Sequence, residues 1–188
     1  MISALLIIAS LSVPQPITYD ILVNHVAENC RSKTNIDRAL MWELVTVELK
    51  YNVPQNLKGM LLASACYESG FNPYARGDHK FSKRNKPKAI GLFQMWKWWE
   101  RAYNIDRTNP VDAATAYMKH IKKQYDKSNC KFRSEERKWI AAWVTAIRSA
   151  KKGGRCYEKP KHLKLLRKWH RKIKFLQANV RNNLTNRI

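Results

Sequence analysis

The sequence lacks the motifs of several common classes of protein. Its four cysteines include no C-x-x-C pair and its five histidines include no H-E-x-x-H motif. We therefore expect neither a zinc site nor a dithiol redox site, and no cofactor is implied. No internal repeat, no strand-like alternation of useful length and no apolar run near the roughly 20 residues of a membrane-spanning helix is visible. These absences argue against metal-dependent, sheet-rich and repetitive proteins.

Acidic residues are scarce. The chain has 14 Asp and Glu against 36 Lys and Arg, which gives a net charge of +22. Such a charge draws a protein towards a polyanion, such as nucleic acid, an anionic membrane or a cell wall bearing carboxylates and phosphates. With 188 residues, of which 45% are apolar, the chain is long enough for one domain with a core, and we expect a monomer with tails.

The N-terminal segment MISALLIIASLSVP is apolar and uncharged but too short to span a membrane. It predicts a signal peptide over residues 1–16, and hence export to the periplasm, the cell envelope or the exterior. The segment has no basic residue at its start and no clear cleavage site, so an uncleaved anchor is the alternative.

The cysteines have an even count that suits an oxidising compartment and allows three pairings. Cys130 with Cys156 would bracket one predicted helix. Cys30 with Cys66 would tie the N-terminal helix to the helix that carries Glu68. Four buried free thiols in a reducing cytosol are the alternative.

Apolar residues recur mostly at helical spacing, which predicts a mainly α fold. Residues Phe71 to Lys88 predict a loop, and AIGLFQMWKWWERAY predicts an extended or turn piece that leads into a short helix. The other predicted helices run from Thr18 to about Asn29, from Thr34 or Asn35 to about Lys50, from Pro54 to Gly70, from Asn109 and Pro110 to about Asp126, from Ser134 to Lys151, and from Lys159 onward.

The stretch ACYESGFNPYARG places a carboxylate, Glu68, in the last turn of a helix whose two sides are both mostly apolar. The helix should therefore be central and buried. A negative charge in a last turn is disfavoured by the helix dipole, so a functional reason is expected. Partial burial there would raise the pKa of the carboxyl towards that of a general acid for glycosidic bond cleavage. The alternative is an exposed residue paired with a lysine.

The segments ESGFNPYA, AIGLFQM and NPVDAATAYMKHI, in this order and spacing, resemble the soluble lytic transglycosylase (SLT) family, which has a lysozyme-like fold and is related to goose-type lysozymes. The resemblance covers about Val53 to Gly154. It implies that Glu68 is the catalytic acid and base, with Ser69 beside it. The residues it implies for the glycan cleft, with Gln94 bonded to the sugar, are Gly91, Leu92, Phe93 and Gln94.

Family members cleave the β-1,4 bond between N-acetylmuramic acid and N-acetylglucosamine in peptidoglycan. They usually do so without water, closing the muramic acid into a 1,6-anhydro ring. Ordinary glycosidases need two carboxylates, whereas here one suffices. The acetamido group of the substrate could stabilise the positive centre, and Glu68, after giving its proton, could take one from the 6-hydroxyl.

One part of the sequence departs from the family pattern. Where the family usually has Ala-Tyr-Asn-Ala-Gly, this chain has AAWVTAIRSAKKGG, with Trp143 in place of the tyrosine and Val144 in place of the asparagine. A tryptophan stacks on sugars and donates one hydrogen bond, but it accepts none. Either Glu68 is held differently, with Trp143 contacting the substrate, or the activity is low.

Two further acids and an aromatic cluster have alternative interpretations. Asp78 could be a second carboxylate for lysozyme-type hydrolysis, or a solvated ion pair in a basic loop. Asp112 is interpreted as a dipole-favoured residue in a first turn. The aromatic cluster could stack on sugars, but helical spacing favours core packing for about two of its four members, Trp96, Trp98, Trp99 and Tyr103.

The tail from Lys159 to Ile188 carries ten basic residues and no acidic one, with apolar residues at helical intervals. It could contact anionic wall polymers or a membrane surface, or it could be a packed helix with a solvated face.

The sequence thus predicts a segment at 1–16, N-terminal helices at 17–52, a lysozyme-like transglycosylase domain at 53–157 and a basic tail at 158–188. A muramidase, a wall-binding protein with weak activity and a nucleic-acid-binding helical protein are the competing functions. A nucleic-acid-binding protein has no need of the apolar leader or of Glu68.

Overall fold

The computed structural model describes residues 18–30, 37–79, 86–127, 132 and 134–143. Six α-helices, one 3-10 turn and three short strands account for most of them. In chain order they are α1 (Tyr19–Asn29), α2 (Arg38–Leu49), the 3-10 turn (Gln55–Leu57), α3 (Met60–Ser69), β1 (Arg76–Gly77), β2 (Ala89–Ile90), β3 (Met95–Trp96), α4 (Trp98–Tyr103), α5 (Pro110–Lys127) and α6 (Glu135–Trp143).

Helix α3 is central and buried, as predicted. Every residue from Met60 to Ala65 is buried. Helices α1 and α2 pack against α3, α2 also packs against α5, and α5 packs against α6. The largest fully buried side chains of this core are Trp139, Met41, Leu44, Leu57, Met60, Leu61, Leu62, Leu92, Met95, Met118 and Ile121.

Helix α3 ends as predicted but begins later. Gly70 takes the left-handed conformation (φ 60°) that closes a helix, and its N–H bonds to the carbonyls of Ala65 and Cys66. The continuous helix predicted from Pro54 is wrong. Pro54 precedes only a 3-10 turn. Gly59, at φ 84°, interrupts the helical conformation, so that α3 begins at Met60. Few residues other than glycine accept that backbone conformation.

The caps of the other helices agree only in part with the prediction. Asn109 Oδ1 accepts from the N–H groups of Val111 and Asp112, as expected for the start of α5. Ser134 Oγ accepts from Arg137 N at 3.2 Å at the start of α6. Helix α2 begins later than predicted, because Asp37, not Thr34 or Asn35, caps it by accepting from Ala39 N at 2.8 Å.

The three strands form an antiparallel sheet in the order β1-β2-β3. Arg76 pairs with Ile90, and Ile90 in turn pairs with Met95. Each strand has two residues, which explains why no alternation is detectable in the sequence. Strands β2 and β3 lead into α4, as predicted for the extended or turn piece, whereas β1 lies in the segment Phe71 to Lys88 that was predicted as a loop.

A disulfide joins Cys30 to Cys66 and closes a loop with a sequence separation of 36. This confirms one of the two expected pairs. The other, Cys130 with Cys156, lies outside the described residues, as do the predicted signal segment, Val144, the end of α6 at Lys151 and the basic tail. Within the described ranges no helix is both long enough and apolar enough to cross a membrane.

Candidate active site

Glu68 lies in the last turn of α3, one residue from the helix end. The helix is buried up to Ala65, but Glu68 itself is exposed, so the partial burial predicted for its carboxyl is wrong. Its position follows from the chain reversal after it. Gly70 and Phe71 both have positive φ, and Asn72 Oδ1 accepts from Tyr74 N at 2.9 Å across Pro73. The sharp turn leaves the end of α3 open on the side of Glu68.

Tyr117, on α5, is the residue whose environment reports most directly on Glu68. Burial raises the pKa of Tyr117 to about 12, and the negative charge of Glu68 adds to the increase. The carboxylate of Glu68 therefore lies close enough to the phenol to act on it electrostatically. The sequence did not single out Tyr117, although it stands in the quoted segment NPVDAATAYMKHI.

Trp143, the last described residue of α6, forms a hydrogen bond with the Tyr117 hydroxyl. Its indole Nε1 lies 3.1 Å from Tyr117 Oη and 3.0 Å from Ser64 Oγ, and donates towards both oxygens. Ser64, on α3, is itself buried and donates to Met60 O at 2.8 Å. Trp143 is buried, so in the described structure it contacts protein groups. Helices α3, α5 and α6 thus meet in one hydrogen-bonded cluster.

The four residues of the predicted cleft segment occupy different environments. Leu92 belongs to the core, and Phe93 is buried with its ring stacked on Tyr117 at a centroid distance of 4.8 Å. Gly91 has φ 85°, and a Cβ there would stand 2.1 Å from the carbonyl oxygen of Arg107. Only glycine fits at this position.

Gln94 ties the sheet to the turn before it. Its Nε2 donates to the carbonyls of Gly91 and Ala75 at 3.0 and 3.2 Å. A Cβ on Gly77 would lie 2.2 Å from Gln94 Oε1, so the glutamine side chain passes directly over the glycine. Ser69, next to Glu68, is half-buried and donates to Ala65 O at 3.0 Å. Both side chains already have protein partners.

The two acids with alternative interpretations lie in different settings. Asp78 is half-buried at the end of β1 with φ 57°, and its Oδ2 accepts from Trp96 Nε1 at 2.7 Å. This indole partner was not predicted. Asp112 lies exposed in the first turn of α5, as predicted. Asp78 is therefore the second acid of interest.

The aromatic cluster divides as predicted. Trp99 is buried and Tyr103 is half-buried, with its hydroxyl 2.8 Å from His120 Nδ1. Trp96 and Trp98 keep 39% and 40% of their surface exposed. Trp98 stacks on Trp99 at 4.5 Å, and Trp99 meets the Tyr117 ring at 6.1 Å. A row of rings therefore runs from Tyr117 to the surface.

Two buried charged residues support the site, and sequence reasoning missed both. Glu48 caps the start of α3, and Arg107 binds the sheet to α4 through Glu100 Oε1 and Met95 O, each at 2.7 Å. Glu48 falls in helical register with the apolar Met41 and Leu44, a signal that could have revealed it. Arg107 has no comparable signal in the sequence.

Among the described residues, no group of three or more His, Cys, Asp or Glu side chains is placed to hold a metal ion.

The central helix is buried and has a glutamate in its last turn, and a small sheet and further helices flank it. This arrangement defines a lysozyme-like helical domain. The sequence model of the transglycosylase SLT domain matches residues 46–146, more than half of the chain. The chain belongs to this family, and at the family level it is an enzyme of the lytic transglycosylase type that acts on peptidoglycan. No curated protein and no solved structure matches it significantly.

Proposed function

We propose that this protein cleaves the β-1,4 bond between N-acetylmuramic acid and N-acetylglucosamine, with Glu68 as its only acid and base and a 1,6-anhydromuramoyl end as the product. The observation that carries the proposal is that Glu68, exposed in the last turn of α3, acts electrostatically on the Tyr117 phenol. The family match supplies the substrate class.

The reaction needs two proton transfers, one from Glu68 and one back to it from a different oxygen. Glu68 gives its proton to the glycosidic oxygen as the bond to C1 of the muramic acid breaks, and the acetamido oxygen of that sugar stabilises the positive centre. Glu68, now a carboxylate, takes the proton of the 6-hydroxyl while that oxygen bonds to C1. The carboxyl ends as it began, and no water is consumed.

The family pattern has a tyrosine where this chain has Trp143, so the hydroxyl of that tyrosine is missing here. On this proposal Tyr117 supplies a hydroxyl in its place. Trp143 donates to the Tyr117 oxygen, and Ser64 donates to Met60. Ser64 is a further hydrogen-bond partner of the Tyr117 hydroxyl. On this proposal the Tyr117 proton turns to Glu68 when substrate binds and holds the carboxylate in place. On this proposal Trp143 acts through Tyr117, so the replacement of the family tyrosine does not imply loss of activity.

The remaining predicted site residues are proposed to shape the groove. Phe93 stacks on Tyr117, Gly91 allows the close approach of the Arg107 carbonyl, and Gln94 bonds to Ala75, just before β1. Leu92 anchors the segment in the core. Ser69, beside Glu68, is proposed to contact the sugar with the lone pairs of its hydroxyl, whose proton is bound to Ala65 O.

Lysozyme-type hydrolysis is the second candidate, because Trp96 holds Asp78 in one orientation near the sheet. Mass spectrometry of digested peptidoglycan separates the two reactions. Anhydro ends that require Glu68 but persist in Asp78→Asn support the transglycosylase. Reducing ends that disappear in both Glu68→Gln and Asp78→Asn would establish hydrolysis instead.

We also propose that the protein acts outside the cytoplasm. The family substrate lies in the cell envelope, and the Cys30–Cys66 disulfide suits an oxidising compartment. Fractionation of cells that produce the full chain tests this proposal, with mass determination of the N-terminus to show whether residues 1–16 are removed.

A further inference from the structure

Beside the sheet lies an open pocket of about 430 Å³ that the proposed reaction does not use. It lies between the segment that precedes β2, strand β3 and helix α4. We call it the cationic pocket, and the lining residues that matter are Lys86, Lys88, Lys97, Arg101, Trp96 and Trp98.

The floor of the cationic pocket is held in place. Arg107 is buried there, and its guanidinium donates to Glu100 Oε1, Met95 O and Lys88 O at 2.7, 2.7 and 3.3 Å. Because Glu100 pairs with Arg107, the charge of the floor is neutralised internally. The floor therefore provides shape rather than net charge.

The rim of the cationic pocket, by contrast, carries an excess of positive charge. Lys86, Lys88, Lys97 and Arg101 are all exposed. In the part of the chain that the structure describes, salt bridges join only Arg107 to Glu100 and Lys122 to Asp126. Asp78, which accepts the Trp96 indole N–H, brings one negative charge to this region, and the four rim cations outnumber it. Cations concentrated around a concave surface favour an anionic ligand.

The two tryptophans give the cationic pocket apolar walls. Trp96 is oriented by its bond to Asp78, and Lys88 Nζ lies 5.4 Å from the centre of its ring. Trp98 has one side stacked on Trp99, and 40% of its surface remains exposed. Flat apolar walls with charges at the edge fit a ligand that combines an apolar body with an anionic group.

We propose that the cationic pocket binds the carboxylates of the peptide stems that muramic acid carries. This proposal rests on the proposed function, because a strand held at Glu68 would bear such stems on alternate sugars. The row of rings from Tyr117 through Trp99 to Trp98 joins the two places. The pocket would favour stem-bearing strands over bare glycan.

The test uses the full chain carrying Glu68→Gln, so that strands bind without turnover. Isothermal titration compares soluble glycan strands that keep their peptide stems with the same strands freed of stems by an amidase. We expect about tenfold tighter binding to stem-bearing strands, a difference of about 1.4 kcal/mol in binding free energy.

The pocket variant is Lys88→Gln with Lys97→Gln. Its matched control is Lys50→Gln with Lys119→Gln, which removes the same charge from two exposed positions, one just after α2 and one on α5. The preference for stems should disappear in the pocket variant and persist in the control. Equal losses in both variants, or a preference unchanged in both, would overturn the proposal.

Two further outcomes separate this proposal from the proposed function. If the parent protein binds both kinds of strand equally, the pocket proposal fails while the proposed function stands. If it binds neither strand but binds a single-stranded oligonucleotide at the same salt concentration, both fail and the nucleic-acid class gains support. Melting temperatures within a few degrees of the parent exclude unfolding as the cause.

Discussion

A glutamate lies at each end of helix α3, and the two glutamates are in opposite environments. Glu48, from α2, reaches the N-terminal end of α3 and is 1% exposed. Its carboxylate accepts from Gly59 N, Leu61 N and Tyr19 Oη at 2.7, 2.9 and 2.9 Å. Glu68 lies at the C-terminal end, exposed and beside one tyrosine.

The helix dipole explains the difference. The N-terminal end of a helix presents unpaired N–H groups and partial positive charge, so a buried carboxylate is stabilised there. The C-terminal end presents carbonyls and partial negative charge, so Glu68 gains nothing from the helix. Glu68 lies where the helix dipole disfavours a negative charge, which suggests a functional role. Glu48 lies where the dipole favours a negative charge, which suggests a role in stability.

Replacing Glu68 should give the largest effect on activity and almost none on stability. We expect Glu68→Gln to lower kcat by a factor on the order of a thousand, because general acid and base catalysis are both lost. The free energy of unfolding should change by no more than about 0.5 kcal/mol. Release of soluble fragments from purified peptidoglycan, with denaturant unfolding alongside, measures both. Glu43→Gln, at an exposed position of α2, is the control, and a Glu68→Gln variant as active as this control would remove Glu68 from the mechanism.

The disulfide at the Glu68 end should contribute the next largest effect. Replacing Cys30 and Cys66 together by alanine should lower the free energy of unfolding by about 4 kcal/mol, as expected for a closed loop of this length. The double variant changes this pair alone and leaves Cys130 and Cys156 as they are. An unchanged unfolding curve would mean that the two thiols are not bonded in solution.

Sequence alone predicted much of this arrangement. The helical periodicity and Gly70 located the body and the end of α3. The ESGFNP and GLFQ segments supplied the candidate site residues, whose roles stay predictions. Glu48 and Tyr117 were missed because each matters through a partner distant in sequence: Gly59 for the first, Glu68 and Trp143 for the second. Periodicity shows which face a residue lies on but not which backbone N–H or ring it meets.

Replacing Glu48 should have the opposite effect to replacing Glu68, with a large loss of stability and little loss of activity. In Glu48→Gln an amide N–H₂ must face one of the buried N–H donors, which should lower the free energy of unfolding by about 3 kcal/mol. The activity of the folded fraction should hardly change. Glu43→Gln, on the same helix, again serves as the control. If Glu48→Gln lost activity while keeping its stability, the division of roles between the two ends of α3 would be wrong.

The pH dependence of the Glu48 effect tests its electrostatics. Burial raises the pKa of Glu48, although the three hydrogen bonds oppose the increase. The folded state then binds the proton more tightly than the unfolded chain, whose glutamates titrate near about 4.3. Stability from this group should therefore fall as the pH rises above that value, and the deficit of Glu48→Gln should shrink. A deficit that grows with pH would show that the hydrogen bonds outweigh burial.

Replacing Tyr117 should give the smallest effect of the set, and it tests how the exposed end of α3 is organised. Tyr117→Phe removes the hydroxyl but keeps the ring that stacks on Phe93. We expect about a tenfold loss of kcat/KM, the value of one hydrogen bond to a charged group. The pH profile of kcat/KM should move to higher pH, because the carboxylate loses a donor. Tyr103→Phe, whose hydroxyl contacts His120, is the matched control and should leave the profile unmoved. A Tyr117→Phe variant that loses stability but keeps the parent profile would reduce Tyr117 to a packing residue, and the exposed carboxylate would then depend on Trp143 or on the substrate for its orientation.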